Sequence, residues 1–105
     1  MAANLTVAAN KRVRGEILAL LYSVQPVPVE IRTITNSLLE SNMVSVPSIA
    51  QHIDYLSGKK YIQVIGEEAA EQILHGVVPS SAFVKLTPTG VDLVEGTIED
   101  QGVDV

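Results

Sequence analysis

Residues 45–58 read S-V-P-S-I-A-Q-H-I-D-Y-L-S-G and carry apolar side chains at helical spacing. The apolar positions lie three, four and three residues apart, which places them on one side of a helix. They are Val46, Ile49, Ile53 and Leu56. The opposite side carries small or hydrogen-bonding residues and little charge. The pattern therefore predicts a helix with one buried face and an outer face that suits a groove or a partner.

A second amphipathic helix is predicted just before this stretch, over residues 29–41. Residues 42–44 read N-M-V and suit a turn, and Ser45 suits an N-cap. Two amphipathic helices with so short a link must cross, as they do in a helix-turn-helix. We therefore predict that residues 45–58 form the second helix of such a pair.

The N-terminal part of the chain predicts one more helix. Residues 1–9 have neither charge nor periodicity, so we expect a flexible N-terminus there. Asn10 suits the N-cap of a helix that continues to about Val24. The run Pro26–Val29 then favours a linker or a short edge strand.

The C-terminal part predicts strands and a short helix. Residues 61–66 and 82–86 have strand character and pair as a hairpin. The connection at 67–81 is long, and helix and strand both remain open for it. Thr87-Pro88 predicts the start of a last helix that ends near Gly96. Residues 97–105 form an acidic tail, which we expect to be mobile unless it docks on a partner.

Two segments resemble parts of the winged helix-turn-helix superfamily. Residues 56–62, L-S-G-K-K-Y-I, are similar to the junction between its recognition helix and its first wing strand. Residues 86–93, L-T-P-T-G-V-D-L, are similar to the Leu-Thr-x-x-Gly-x-x-Leu signature that closes the wing. Residues 90–96, G-V-D-L-V-E-G, resemble small winged-helix proteins of phages and prophages. The resemblance covers residues 10–96 and implies an α+β fold with a three-helix core, a β-hairpin wing and a short C-terminal helix.

Length and composition limit the alternatives. A chain of 105 residues suits one domain, and aromatic residues at 4% predict an aliphatic core. The chain has no cysteine, which excludes disulfides, thiolate metal sites and cysteine nucleophiles. It shows neither a signal-peptide pattern nor an apolar run long enough for a bilayer. We therefore expect a soluble, cytoplasmic protein without a membrane partner.

The charge is segregated along the chain. Residues 1–66 carry six Lys and Arg against four Asp and Glu, a net charge of +2. Residues 67–105 carry one Lys against eight Asp and Glu, a net charge of −7, which gives the −5 of the whole chain. Such a protein can present a basic surface to phosphate although its total charge is negative.

Four residues on the outer face of the predicted recognition helix are candidates for base contact. They are Ser48, Gln51, His52 and Tyr55. Gln51 has the amide group that makes two hydrogen bonds to adenine in the major groove. The alternative is a solvated face or a face covered by another protein chain, and both interpretations stay open.

Six cations are candidates for contact with DNA phosphates, which set the register without reading sequence. They are Lys59, Lys60, Arg32, Lys11, Arg12 and Arg14. The alternative for each is a solvent-facing charge. Because six cations give weak binding, we expect a homodimer that doubles the basic surface, with Leu5, Val7 and Leu18 as candidates for the subunit contact.

The sequence offers no arrangement typical of an enzyme. His52 and His75 are the two histidines and have no carboxylate at metal-ligand spacing. No glycine-rich phosphate loop and no Gly-x-Ser-x-Gly turn occurs. We therefore expect no catalytic residue, metal or cofactor.

Two hypotheses for the function follow. The first is a small DNA-binding protein, a transcriptional regulator of phage or prophage type, that places helix 45–58 in the major groove of double-stranded DNA. The alternative is a winged-helix protein-protein interaction module, such as a phage assembly or adaptor factor, that does not bind DNA.

Overall fold

Helices and short strands alternate along the chain. The structure is a computed structural model that describes residues 2–41, 46–77 and 81–105. Within these ranges the elements are α1 (Ala2–Val24), β1 (Val29–Glu30), α2 (Ile31–Glu40), α3 (Val46–Gly58), β2 (Ile62–Ile65), α4 (Glu67–Leu74), β3 (Phe83–Leu86) and α5 (Pro88–Val94). The strands form an antiparallel sheet in the order β1-β3-β2. The prediction of an α+β fold is confirmed.

The first helix is longer than predicted. It begins at Ala2 and runs to Val24, so Asn10 lies inside it and the predicted cap is wrong. Four of residues 2–9 are alanine, the residue with the highest helix propensity, which explains why the helix extends through this uncharged segment. The domain boundary at residue 10 stays a prediction.

The segment for which a helix-turn-helix is predicted agrees with the prediction at α3 and departs from it at α2. The helix α3 spans Val46–Gly58. The helix α2 begins at Ile31, because Val29 and Glu30 pair with β3 as a short edge strand. The predicted turn at 42–44 and the predicted cap Ser45 lie outside the described residues.

The hairpin of β2 and β3 forms as predicted, with Val64 opposite Val84. The connection between the two strands contains α4, so the helical alternative for this segment is confirmed as far as Leu74. The strand alternative is wrong at Ile73 and Leu74, since both residues belong to this helix. Ile73 is buried against the core, which gives the inserted helix an apolar attachment.

Every helix and two of the strands bury side chains in one aliphatic core. Its fully buried members include Ile17, Leu18, Leu21, Ile31, Ile34, Ile49, Ile53, Leu56, Val84 and Leu93. Leu18 is therefore a core residue and the predicted subunit contact at Leu18 is wrong, because α1 turns both Ile17 and Leu18 inward. Val7 is exposed, and the side chain of Leu5 lies outside the described residues.

The start of α5 is fixed to the segment that follows α3. The Thr87 hydroxyl accepts a hydrogen bond from the Gly90 amide at 3.1 Å, which confirms the predicted N-cap. The same hydroxyl donates to the Lys60 carbonyl at 2.5 Å. The Thr87 amide donates to the Tyr61 carbonyl at 3.0 Å. These bonds hold the last helix against the residues that leave α3.

Candidate nucleic-acid interface

The outer face of α3 presents neutral and acidic groups. Gln51 and Asp54 are exposed, and Tyr55, four residues after Gln51, is half-buried. Residues three and four apart share a helix face, so these side chains form one outward stripe. The side chain of Ser48 lies outside the described residues. Gln51 is thus a candidate base contact with a solvent-accessible side chain.

His52 does not lie on that stripe. It is 3% exposed and packs on the inner side of α3 with Ile49 and Ile53. The predicted base contact by His52 is contradicted by this burial. Burial lowers the pKa of the imidazole, and the positive charge of Arg14 lowers it further. Because its pKa is lowered, the buried His52 side chain is neutral at pH 7. Within the described residues its Nδ1 atom has no hydrogen-bond partner.

Tyr55 is covered by cations from two elements. The guanidinium carbon of Arg14, on α1, lies 3.7 Å from the centroid of the tyrosine ring. The Nζ atom of Lys59, just after α3, lies 5.7 Å from the same centroid. Both distances fall in the range of a cation–π interaction. The structure therefore brings two of the predicted phosphate contacts together at the C-terminal end of the outer stripe.

The acidic tail docks on this same place. An Nη atom of Arg14 donates to the Gly102 carbonyl at 3.0 Å. The Asp104 amide donates to the Lys11 carbonyl at 3.0 Å. Val103 is buried in the core, with 5% of its surface exposed. The expectation of a tail that is mobile without a partner is wrong, because Val103 anchors it to its own domain.

Asp100 holds the tail to the segment after α3. One carboxylate oxygen accepts a hydrogen bond from the Tyr61 hydroxyl at 2.6 Å and lies 3.4 Å from Lys59 Nζ. The other accepts from the Gly102 amide at 2.7 Å. The bond from Tyr61, with smaller contributions from Gly102 and Lys59, lowers the pKa of Asp100 against the opposing effect of burial. The carboxylate is therefore ionised at neutral pH.

We call Arg14, Tyr55, Lys59 and Tyr61, together with Asp100 and Gly102, the tail-docking cluster. Tyr61 is 7% exposed, and burial, followed by the bond to Asp100, raises its pKa to about 12. The phenol is consequently a hydrogen-bond donor throughout the neutral range.

The other predicted phosphate contacts lie outside this cluster. Lys60 is exposed directly after α3, with φ at +65°. Arg32 is exposed in the first turn of α2, and Arg12 is exposed on α1, while Lys11 is half-buried. Among the residues that the structure describes, the one ion pair joins Lys59 to Asp100. Four cations of the predicted set therefore remain available to a phosphate while the tail is docked: Lys60, Arg32, Arg12 and the half-buried Lys11.

Three members of the cluster are not among the predicted site residues: Tyr61, Asp100 and Gly102. The sequence signal for the tail contact is the presence of aliphatic residues in an acidic and polar end, of which Ile98 and Val103 pack inward while Val105 is exposed. Val103 is buried and Ile98 packs partly buried against the core. An apolar pair of this kind indicates a segment that docks, although it does not indicate where.

Other site types find little support in the described ranges. No three His, Asp or Glu side chains there gather in a way that would hold a metal ion. Of the helices described, none is long and apolar enough to cross a membrane. Comparison of the chain with protein-family models, with curated proteins and with solved structures gives no match.

Proposed function

We propose that this chain is a winged-helix DNA-binding protein, a transcriptional regulator of the phage or prophage type, that places α3 in the major groove. The observation that carries the proposal is the strand order β1-β3-β2, with β1 directly before α2 and β2 directly after α3. This order supports a helix-turn-helix whose second helix is followed by a wing. In such proteins the second helix contacts base edges.

The chemistry of α3 supports base contact at one position. Gln51 is exposed on the outward stripe, and its amide offers a donor and an acceptor to an adenine edge. Asp54 lies on the same stripe and repels phosphate, so α3 itself contributes little electrostatic attraction. Attraction to DNA then comes from exposed cations beside α3, of which Lys60 is the nearest that is not paired with the tail.

A salt titration with a matched pair of variants tests the proposal. Binding of a fluorescent duplex by wild-type protein weakens with a slope of about −0.9 per phosphate contact in a plot of log affinity against log salt. Lys60→Gln is expected to make this slope shallower by about 0.9. The affinity that this variant loses between 50 and 200 mM salt is then about 3.5-fold smaller than the loss of the wild-type protein. Lys85→Gln on β3 removes the same charge from a residue that we do not place at the DNA and is expected to keep the slope. Absence of salt-dependent binding by the wild-type protein would refute the proposal.

A protein-protein interaction module is the second candidate, and a different surface favours it. Val24, Val27 and Phe83 are exposed around a groove between the end of α1 and the edge strand β1. Adjacent exposed apolar side chains are typical of a protein contact. If this surface joins two copies, sedimentation velocity will show a concentration-dependent dimer that Phe83→Ser dissociates. A monomer at all concentrations would exclude the homodimer, and a Lys60→Gln protein that binds DNA more weakly but still dimerises would separate the two functions.

A further inference from the structure

The position of the Asp100 carboxylate has the chemistry of a phosphate site. The carboxylate is bound by the Lys59 ammonium at 3.4 Å and by the Tyr61 hydroxyl at 2.6 Å. A lysine and a neutral hydroxyl donor are groups that commonly bind phosphate oxygens in DNA complexes. Both residues lie in the segment between α3 and β2, next to the outward stripe that ends at Tyr55.

We infer that Asp100 occupies, within the chain itself, a position where Lys59 and Tyr61 bind a DNA backbone phosphate, and that the docked tail thereby restrains DNA binding. The inference rests on the proposed function and adds to it a phosphate contact by Tyr61 and a competitor for that contact. The Asp100 carboxylate and a DNA phosphate cannot both occupy this position, because both are anions that would bind the same Lys59 ammonium group. DNA therefore uses Lys59 and Tyr61 when the tail leaves.

The contacts of the tail explain how it is held and how it is released. Arg14 binds the Gly102 carbonyl, and Val103 is inserted into the core. Gly15 allows the tail to approach α1, since a Cβ atom there would overlap the carbonyl oxygen of Asp104 and lie 2.7 Å from its carbonyl carbon. The same displacement that frees Lys59 also frees the Arg14 guanidinium beside Tyr55.

Two variants test the competition between Asp100 and a DNA phosphate. Each removes one negative charge, at residue 100 or at the neighbouring residue 99. Asp100→Asn keeps the shape of the side chain but removes the charge that holds Lys59. We expect it to bind a fluorescent duplex about two- to fivefold more tightly, the fold-change that an exposed ion pair represents. Its salt slope is expected to steepen by about 0.9, because one more phosphate is contacted. Glu99→Gln removes the same charge from the neighbouring exposed residue and makes no contact in the cluster, so its gain measures the effect of net charge alone.

A second variant releases the tail without changing any charge. Gly15→Ala introduces the methyl group that overlaps the Asp104 carbonyl, and helix formation in α1 tolerates alanine. We expect its affinity for the duplex to rise at least as much as that of Asp100→Asn, because Lys59 and Arg14 are both freed.

The outcomes distinguish a failure of the tail competition from a failure of the proposed DNA binding. Equal affinities for Asp100→Asn and Glu99→Gln, or an unchanged affinity for Gly15→Ala, would overturn the competition while leaving DNA binding established. No binding by any variant across about 1–100 µM, where non-specific binding is measured, would overturn the proposed function as well. Circular dichroism of each variant shows that the helices are retained.

Discussion

Replacement of Gly90 by alanine tests the contact that holds α5 to the segment after α3. A Cβ atom at this position would overlap the Tyr61 carbonyl oxygen and lie 2.7 Å from the Leu86 Cδ1 atom. Leu86 is half-buried and its side chain can rotate away. The Tyr61 carbonyl cannot, since it is main chain and accepts the Thr87 amide hydrogen bond at 3.0 Å. The helix itself must therefore move.

The size of the effect follows from that movement. To restore an ordinary contact distance, α5 must shift by about 1 Å, which disturbs the packing of the fully buried Leu93. Overpacking of this kind costs about 1–3 kcal/mol. The weakened bond from the Gly90 amide to Thr87 adds about 0.5–1.5 kcal/mol, and the better helix propensity of alanine returns up to about 1 kcal/mol. We expect a net loss of about 0.5–4.5 kcal/mol in the free energy of unfolding, with a central value of about 2.5 kcal/mol.

Urea unfolding measured by circular dichroism gives this difference from the midpoint, provided that the slope with denaturant is unchanged. In thermal unfolding the central value of this loss corresponds to a decrease of about 10–20 °C in Tm. Gly58→Ala is the matched control, because a Cβ atom at Gly58 meets nothing within 4 Å. We expect this variant to be at least as stable as wild type, with a gain of up to about 1 kcal/mol from helix propensity. A Gly90→Ala protein as stable as wild type would refute the packing argument.

Three further predictions concern a helix cap and two titrating groups. Thr87→Ala is expected to lower the free energy of unfolding by about 1 kcal/mol through loss of the N-cap, whereas Thr87→Ser keeps it, as urea unfolding will show. Because the pKa of His52 is lowered in the folded state, the unfolded chain binds this proton more readily, and stability is expected to fall as the pH drops below about 6.5. His52→Gln should lose that part of the decrease when unfolding is measured from about pH 7.5 to 5, and an unchanged pH dependence would contradict the assignment. The lowered pKa of Asp100 stabilises the fold above its unfolded value of about 3.9, and this stabilisation is lost as the pH falls through the folded value. Asp100→Asn should therefore flatten the decrease in stability when urea unfolding is measured from about pH 5 to 2.

Much of the fold could be predicted from local patterns. The bounds of α3 and the hairpin of β2 with β3 follow from apolar periodicity, and the start of α5 follows from the capping chemistry of Thr87-Pro88. Periodicity does not show how far a helix continues through a segment that has neither charge nor a regular apolar spacing. This explains the error at residues 2–9. It also does not show that Val29 and Glu30 pair with a strand more than fifty residues later, since that pairing is a tertiary contact.

The site was predicted less completely, and the two errors have different causes. The spacing of the apolar residues predicts His52 on the outer face of α3, but His52 is 3% exposed and lies with the core residue Ile53. The contact between Lys59 and Asp100 joins residues far apart in the chain, and local sequence holds no information on such a pair. The resemblance to winged-helix proteins pointed to Leu86–Leu93, and the structure gives Gly90 a physical reason, the close approach of the Tyr61 carbonyl.

The basic and acidic parts of the sequence meet in the fold, because the acidic tail binds two of the cations. This contact limits the number of cations that are available for the DNA binding that we propose. Of the six predicted phosphate contacts, Arg14 and Lys59 are engaged by the tail, which leaves four. If every available cation meets one phosphate, the salt slope is at most about −3.6 with the tail docked and about −5.4 with the tail released. Between 50 and 200 mM salt these slopes correspond to losses of about 150-fold and about 1,800-fold in affinity. If the chain binds DNA as we propose, the slope therefore counts the cations in contact with phosphate, and it distinguishes a docked tail from a released one whatever the sequence of the duplex.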